Sequence, residues 1–276
     1  MGAFSFVHLT DLHLMAGGRW AYQPDGWAVD PAANLRRVIA AVNGLEPRPA
    51  FAVLGGDLAS PDLLDPSRPW TPEEYEPSYR ELVDLLRALP CPIHPTLGNH
   101  DNRAAFHRIL DTGVADPAEP WSYGFDHGPW HFVVLDTLVP GSPRGRLRAA
   151  QLEWLQRDLH GHSDRPTMVF LHHPPWPVGL AWIDAMGLEN GEALIDVLRR
   201  HPGARTIVAG HVHTDTLIQR EGFTVLTTPA TSVQLSQVSQ TPKLLPGPPG
   251  FRTFRLDGGT IMTRVLTVGE GGASAL

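Results

Sequence analysis

Apolar residues recur along the chain in two alternating patterns: short apolar runs, and longer stretches in which apolar residues have helical spacing. The short runs are typical of buried strands and cover residues 4–9, 50–56, 93–98, 130–136, 167–173 and 205–211. The stretches with helical spacing lie mostly between them and cover residues 32–45, 72–89, 102–110, 149–159 and 192–201. Alternating strands and helices predict a layered α/β sandwich.

The helical pattern stops after residue 211. Four later segments have the short alternation and turn residues of antiparallel strands, at 215–222, 223–229, 251–259 and 261–268. A proline-rich loop covers residues 239–250. We therefore predict one domain over residues 1–268, followed by a disordered tail at 269–276.

Composition and charge narrow the class of protein. The net charge of −7 disfavours a partner such as a nucleic-acid polymer, although a bound metal could still attract a small anionic substrate. Cys91 is the single cysteine, so no intrachain disulfide forms. The chain shows no signal peptide and no apolar run long enough to cross a bilayer, so we expect a cytoplasmic protein without a membrane partner.

Polar side chains follow five of the predicted strands, at the point where each strand ends. They are Asp11 and His13; Asp57; Asn99, His100 and Asp101; His172 and His173; and His211 and His213. One D-x-H pair is expected by chance about once in a chain with 14 histidines, and any one histidine is equally explained as a hydrogen-bonded core residue. Five such motifs at strand ends indicate a common site, because open α/β sheets bind ligands at the carboxyl ends of their strands.

The residue types in these motifs are those that bind metal ions. Carboxylate, amide oxygen and imidazole donors suit a pair of hard to borderline cations. The glycines in "GGD", "GNH" and "GHVH" allow tight turns and close approach of the backbone. We expect each of the D-x-H and H-x-H pairs to lie on extended backbone, where alternate side chains point to the same face.

The order D-x-H, G-D, G-N-H-D, H and G-H-x-H resembles the calcineurin-like metallophosphoesterase superfamily over nearly the whole chain. The strings "HHPPWPVGLAWIDAMGLENGEALIDVL" and "GHVH…TTPATSVQ…PGFR" are similar to bacterial class III cyclic-nucleotide phosphodiesterases, and equally to glycerophosphodiesterases. This resemblance implies a four-layer α/β/β/α sandwich, in which two mixed sheets are flanked by helices.

The resemblance also implies roles for individual residues. One metal ion would be held by Asp11, His13 and His213, and the other by Asn99, His172 and His211, with Asp57 bridging both. His172 is preferred to His173 as the ligand because it directly follows the strand. His100 would contact the phosphoryl group or protonate the leaving oxygen, and Asp101 would fix the loop. The metal pair would be iron with manganese or two manganese ions, with zinc or cobalt as substitutes.

The implied reaction follows from the charges at such a centre. Two divalent ions bring four positive charges, and Asp11 and Asp57 return two negative charges. The two positive charges that remain suit a phosphodiester anion and a metal-bridging hydroxide. The hydroxide is available at neutral pH because metal binding lowers the pKa of water from 15.7 to about 7. The hydroxide would attack phosphorus in line with the leaving alkoxide.

Three functions stay open on the sequence. The first is hydrolysis of 3′,5′-cyclic nucleotides such as cyclic AMP. The second is the same chemistry on glycerophosphodiesters or on other phosphate and phosphonate esters. The third is a non-catalytic interaction protein of the same fold, which the complete set of donors disfavours. The sequence does not decide between a monomer and a homodimer or higher homo-oligomer.

The loops above the strand ends are expected to select the substrate. They cover residues 14–30, 60–72, 174–190 and 232–250, and carry Trp20, Tyr22, Trp27, Trp176 and Trp182. These aromatic rings either stack on a nucleobase or pack the loops against one another. The proline-rich loop either covers the site or pairs with a second subunit, and the role of His173 is open.

Overall fold

Two six-stranded mixed sheets dominate the part of the chain that the structure describes. The structure is a computed structural model and describes residues 2–21, 28–269 and 272–275. In chain order, the strands are β1 (Phe4–Leu9), β2 (Trp20–Ala21), β3 (Ala28–Val29), β4 (Ala52–Gly55), β5 (Ile93–Thr96), β6 (Tyr123–His127), β7 (Trp130–Leu135), β8 (Thr167–Leu171), β9 (Ala204–Ala209), β10 (Leu217–Arg220), β11 (Phe223–Thr227), β12 (Gln234–Leu235), β13 (Leu244–Leu245), β14 (Gly250–Asp257), β15 (Thr260–Gly269) and β16 (Gly272–Ala275). The α-helices are α1 (Pro31–Asn43), α2 (Pro72–Leu86), α3 (Arg103–Leu110), α4 (Ala149–Gly161), α5 (Ala181–Asp184) and α6 (Gly191–Arg199), and a 3-10 turn covers Pro61–Leu64.

Each large sheet combines a block of parallel strands with antiparallel additions. The first has the order β16-β15-β14-β1-β4-β5, with β1, β4 and β5 parallel. The second has the order β10-β11-β9-β8-β7-β6, with β11, β9, β8 and β7 parallel. The short pairs β2–β3 and β12–β13 lie outside these sheets. The parallel strands therefore bring their carboxyl ends to one edge of each sheet.

Strand alternation divides the core into three layers. In β1, Val7 and Leu9 pack with α1 and α2, whereas Phe6 faces the second sheet. Between the sheets, Phe6 stacks on Phe254 at a centroid distance of 4.7 Å and meets Phe170 edge to face. On the far side of the second sheet, its outward residues pack against α4 and α6. The predicted four-layer α/β/β/α sandwich of two mixed sheets is confirmed.

Several segments differ from the prediction, among them β2, β3, β12, β13 and α5, which lie in predicted loops. The described part of the tail, Gly272–Ala275, forms β16 and pairs with β15, so the prediction of disorder is wrong there. Its small residues carry no strand periodicity, and it is ordered by backbone hydrogen bonds to the end of β15. The edge strand β6 was not predicted either, because its five residues are partly exposed. Within the described residues, no helix is both long enough and apolar enough to cross a membrane.

Candidate metal centre

The seven predicted metal ligands lie beyond the carboxyl ends of strands in both large sheets. Asp11 and His13 follow β1, Asp57 follows β4, and Asn99 follows β5. The second sheet contributes three histidines at corresponding positions, namely His172 after β8 and His211 and His213 after β9. Because the two sheets pack face to face, donors from one sheet meet donors from the other.

One cluster joins Asp11 and His13 to His213, which lies two hundred residues later in the chain. Nε2 of His13 lies 3.0 Å from Nε2 of His213, and the latter atom lies 3.4 Å from Oδ1 of Asp11. All three side chains are buried, and one ligand atom from each lies within 4.8 Å of the others. The spacing fits a single cation held by one carboxylate and two imidazoles.

Asp57 connects this cluster to a second one. Its Oδ2 atom lies 3.8 Å from Nε2 of His13 and 3.3 Å from Nε2 of His172. Asp11, Asp57 and His172 again offer ligand atoms within 4.8 Å of one another. A carboxylate oxygen between two groups of imidazoles has the position that a bridging ligand requires.

Orphaned polar atoms show that the residues fit bound cations. Oδ1 of Asn99 and Nε2 of His211 are buried, yet neither has a hydrogen-bond partner. Leaving such atoms unpaired costs about 1–3 kcal/mol each, which a bound ion would offset. Asn99 and His211 line the same cavity as Asp57, so the three can address one ion.

The protonation states favour metal binding at most of these positions. Burial lowers the pKa of His13 and of His211 to about 3, which leaves both imidazoles neutral. Burial opposes ionisation of Asp11, but His213 and His172 outweigh it and lower the pKa to about 2. For His172, burial is outweighed by Asp57, which raises the pKa to about 9. A cation bound between His172 and Asp57 would balance the charge of the Asp57 carboxylate in place of the His172 proton.

The backbone at the ligands corrects one expectation. The D-x-H and H-x-H pairs do not lie on extended backbone: φ is 54° at Asp11, 48° at His13, 70° at His211 and 52° at His213. The backbone at Asp57 is also in the left-handed region, with φ of 50°. For non-glycine residues this conformation costs roughly 1–2 kcal/mol each. Hydrogen bonds between neighbouring loops hold it, such as His13 N–H to the Asp57 carbonyl at 2.8 Å.

Two glycines are required by close approach within the centre. A Cβ on Gly98 would lie 2.2 Å from Oδ1 of Asp57, and one on Gly56 would lie 2.6 Å from Nδ1 of His172. Gly56 also has a positive φ of 93°. The "GGD" and "GNH" glycines therefore make room for the ligands, as the sequence predicted.

Three of the predicted ligand histidines are oriented by hydrogen bonds at Nδ1. This atom of His172 donates to the Gly55 carbonyl at 2.7 Å, and that of His213 donates to the Val233 carbonyl at 2.6 Å. Nδ1 of His13 lies 2.7 Å from Oγ of Ser60. These bonds leave Nε2 directed at the cluster, and the carbonyl acceptors of His172 and His213 place a proton on Nδ1 of those two rings. Ser60 and Val233 were not identified from the sequence, since only the fold brings them to the histidines.

His100 and Asp101 occupy different environments. His100 lines the cavity, and its Nδ1 lies 2.7 Å from Oδ2 of Asp62, a residue that the sequence did not single out. Burial opposes protonation of His100, but Asp57 and Asp62 raise its pKa to about 9. The Asp101 carboxylate accepts hydrogen bonds from the backbone of residues 58, 59 and 98 and from the Tyr79 hydroxyl. Asp101 thus links the loops that follow β4 and β5 without lining the cavity.

His173 lies behind the centre. Its Nδ1 is 2.8 Å from Oγ1 of Thr137, and its ring centroid is 4.6 Å from that of His211. The side chain is fully buried and does not line the main cavity. Nε2 of His172, and not that of His173, contacts Oδ2 of Asp57, while His172, His173 and His211 together also offer ligand atoms within 4.8 Å of one another.

A cavity of about 720 Å³ opens above the donors. Three predicted loops line it, through residues 62–69, 182–186 and 235–244, and residues 141–143 complete the lining. Among the described residues, none from 14–21 or 28–30 takes part. Tyr22 and Trp27 lie outside the described residues, as does the side chain of Trp20. Trp182 lines this cavity, whereas Trp176 lines a smaller neighbouring one.

Paired sheets with carboxylate, amide and imidazole donors at their shared edge define a metallophosphoesterase. Residues 4–215 match the calcineurin-like phosphoesterase family, and the chain belongs to that family. It is 30% identical over 96% of its length to a 3′,5′-cyclic-nucleotide phosphodiesterase of Nostoc sp., covering 92% of that protein. It is 31% identical over 83% of its length to the glycerophosphodiester phosphodiesterase GpdQ of Enterobacter lignolyticus, covering 78% of it.

The fold is shared with a solved dimetal phosphatase from Danio rerio. The TM-score is 0.68 at 16% identity, and the match covers 95% of this chain and 99% of that chain. The predicted superfamily is confirmed by the family match over residues 4–215 and by the relatives of about 30% identity. The predicted enzyme class, a metal-dependent phosphoric diester hydrolase, is also confirmed.

Proposed function

We propose that this chain hydrolyses small phosphodiesters at a binuclear metal centre, with 3′,5′-cyclic nucleotides as its substrates. The observation that carries the proposal is the position of Asp57, whose Oδ2 faces His13 of one cluster and His172 of the other. One ion would be held by Asp11, His13 and His213, and the other by Asn99, His172 and His211, with Asp57 shared. The donor set suits iron with manganese or two manganese ions.

The ions would supply Lewis acidity toward a phosphoryl oxygen and acidify the water that acts as nucleophile. The chain's own part in the chemistry centres on His100. Its Nδ1 is held by Asp62 at 2.7 Å, so Nε2 remains for the substrate. As a cation, His100 can stabilise charge on the phosphoryl group and donate its Nε2 proton to the leaving alkoxide. General acid catalysis of this kind contributes about 10²–10⁴-fold.

The cavity supports a substrate with one organic group of moderate size. Its volume of about 720 Å³ exceeds what a phosphate alone requires and lies within the range of small-molecule sites, about 300–1,000 Å³. Apolar side chains such as Leu63, Trp182 and Met186 line its walls. The relative from Nostoc, named for cyclic-nucleotide hydrolysis, supports the nucleotide as that group. The likeness to GpdQ supports glycerophosphodiesters as the second candidate.

Direct comparison of the two substrates tests the proposal. Protein loaded with manganese is assayed on cyclic AMP and on glycerophosphocholine, and the bound metal is counted by elemental analysis. We expect about two ions per chain and a higher kcat/KM for cyclic AMP. An Asp57→Asn variant, purified in parallel, controls for contaminating hydrolases. Protein with two bound ions that hydrolyses neither substrate would overturn the proposal and favour a non-catalytic role.

A further inference from the structure

A small hairpin forms one wall of the cavity. Strands β12 and β13 pair through Gln234 with Leu245 and Leu235 with Leu244, and we call residues 234–245 the pocket hairpin. Leu235 and Leu244 line the cavity. At the tip of the hairpin, Val238 is 86% exposed. The pocket hairpin is therefore a mostly exposed element whose inner face borders the site.

One side chain from α5 forms a hydrogen bond with the pocket hairpin. The indole Nε1 of Trp182, in α5, donates a hydrogen bond to the Ser239 carbonyl at 3.1 Å. Within the pocket hairpin, the Ser236 N–H donates a hydrogen bond to the Lys243 carbonyl at 2.9 Å. Trp182 also lines the cavity, so the same residue is both a wall of the site and a contact to the hairpin.

The charged groups of the walls are already paired. Arg68 contacts Asp65 at 3.3 Å and Glu74 at 2.9 Å, and Asp62 is bonded to His100. Apart from the proposed ligands and His100, Arg68 and Asp62 are the charged residues among the described lining. The walls thus offer apolar surface without a free charge, which suits an uncharged flat or apolar group.

We propose that Trp182 is a specificity-determining residue that both contacts the ester group of the substrate and holds the pocket hairpin over it. The proposal rests on the proposed function, since it concerns the organic part of a phosphodiester. The indole ring supplies apolar surface to a flat group such as a nucleobase. Its N–H bond to Ser239 keeps Leu235 and Leu244 in the wall.

Two substrates with one leaving group test the ring contact. Bis-p-nitrophenyl phosphate and methyl p-nitrophenyl phosphate both release p-nitrophenolate and differ only in the group that remains. In Trp182→Ala, we expect the preference for the aryl diester, measured as a ratio of kcat/KM, to fall about tenfold, mainly through KM. Trp182→Phe retains a ring but loses the bond to Ser239, so its preference should fall less than that of Trp182→Ala. Leu244→Ala, on the pocket hairpin, should also lower the preference for the aryl diester.

The only lysine of the chain provides a second test that does not depend on activity. Lys243 is exposed and lies in the pocket hairpin, so a lysine-specific protease cuts the native chain at one position. Loss of the bond to Ser239 should release the hairpin, and both Trp182→Phe and Trp182→Ala should be cleaved several-fold faster than the wild type. Trp130→Phe is the matched control. It loses an indole bond of 3.0 Å to the Gly258 carbonyl, away from the cavity, and should be cleaved at the wild-type rate.

The results separate this inference from the proposed function. A wild-type enzyme inactive on both diesters refutes the proposed function, whereas the cleavage experiment still reports on the hairpin. An unchanged aryl preference in Trp182→Ala would overturn the ring contact. Equal cleavage of Trp182→Phe, Trp130→Phe and the wild type would overturn the role of the indole bond.

Discussion

Nε2 of His172 lies 3.3 Å from Oδ2 of Asp57, and this contact joins donors of the second sheet to donors of the first. Asp11 and Asp57 are both buried here, so a cation that binds them stabilises the folded chain. We expect manganese added to chelator-treated protein to raise Tm. At a metal concentration one hundred times Kd, the gain is about 2.7 kcal/mol. Asp57→Asn should lose most of this gain in a thermal melt, and an undiminished gain would refute its bridging role.

Asn99 and Asn102 should respond oppositely to truncation, although they lie three residues apart. Oδ1 of Asn99 has no hydrogen-bond partner, so Asn99→Ala should barely change the free energy of unfolding. It should lower activity at limiting metal by at least about 10–100-fold, the loss that follows mutation of groups that only orient metal ligands. Oδ1 of Asn102 accepts from the Ala105 N–H at 3.0 Å as the N-cap of α3. Asn102→Ala should cost about 1 kcal/mol, measured by urea unfolding. Wild-type turnover of Asn99→Ala at limiting metal contradicts the ligand assignment.

We expect Asp62 to act on the reaction through His100. The bond of 2.7 Å between Asp62 Oδ2 and His100 Nδ1 holds the ring and stabilises its cation. We expect Asp62→Asn to lower kcat by about tenfold with little change in KM, and His100→Asn to lower it by about 10²–10⁴-fold. In the double variant, Asp62→Asn should have no further effect. Additive losses in steady-state kinetics would show that Asp62 works independently of His100.

His131 should make the stability of the fold depend on pH. It is buried, with Nδ1 2.7 Å from Asp126 and Nε2 2.7 Å from Asp158. Burial opposes protonation, but the two carboxylates outweigh it and raise the pKa of His131. A raised pKa in the folded state means that the stabilisation is complete below the unfolded pKa of about 6.5. It is lost as the pH rises through the folded pKa.

Thermal melts of the wild type and His131→Gln at about pH 6 and about pH 9 measure this effect. The Tm of the wild type should exceed that of His131→Gln by more at the lower pH. His94 gives the opposite control, because burial lowers its pKa to about 4 and the folded state therefore favours the neutral ring. The amount by which the Tm of the wild type exceeds that of His94→Gln should shrink at the lower pH. A difference for His131→Gln that does not vary with pH would mean that its ion pairs contribute no net stability.

Local patterns in the sequence determined the secondary structure and the candidate donors. The run 4–9 coincides with β1, and the helical spacing at 72–89 predicts α2 to within three residues, because periodicity reports which face of an element is buried. The positions of Asp11, Asp57 and His172 at strand ends likewise predicted that their side chains share an edge. These features depend only on neighbours along the chain.

The tertiary structure decided what depends on distant contacts. Of the four late strands, β10 and β11 join the second sheet and β14 and β15 join the first, which their similar alternation does not reveal. The left-handed backbone at Asp11 and His211 is held by bonds from their N–H groups to the Gly56 carbonyl and to the Asp11 carboxylate, and Asp62 reaches His100 across 38 positions. Pairing between sheets and loops is set by packing and hydrogen bonds over long sequence separation, so a pattern read along the chain carries no record of it.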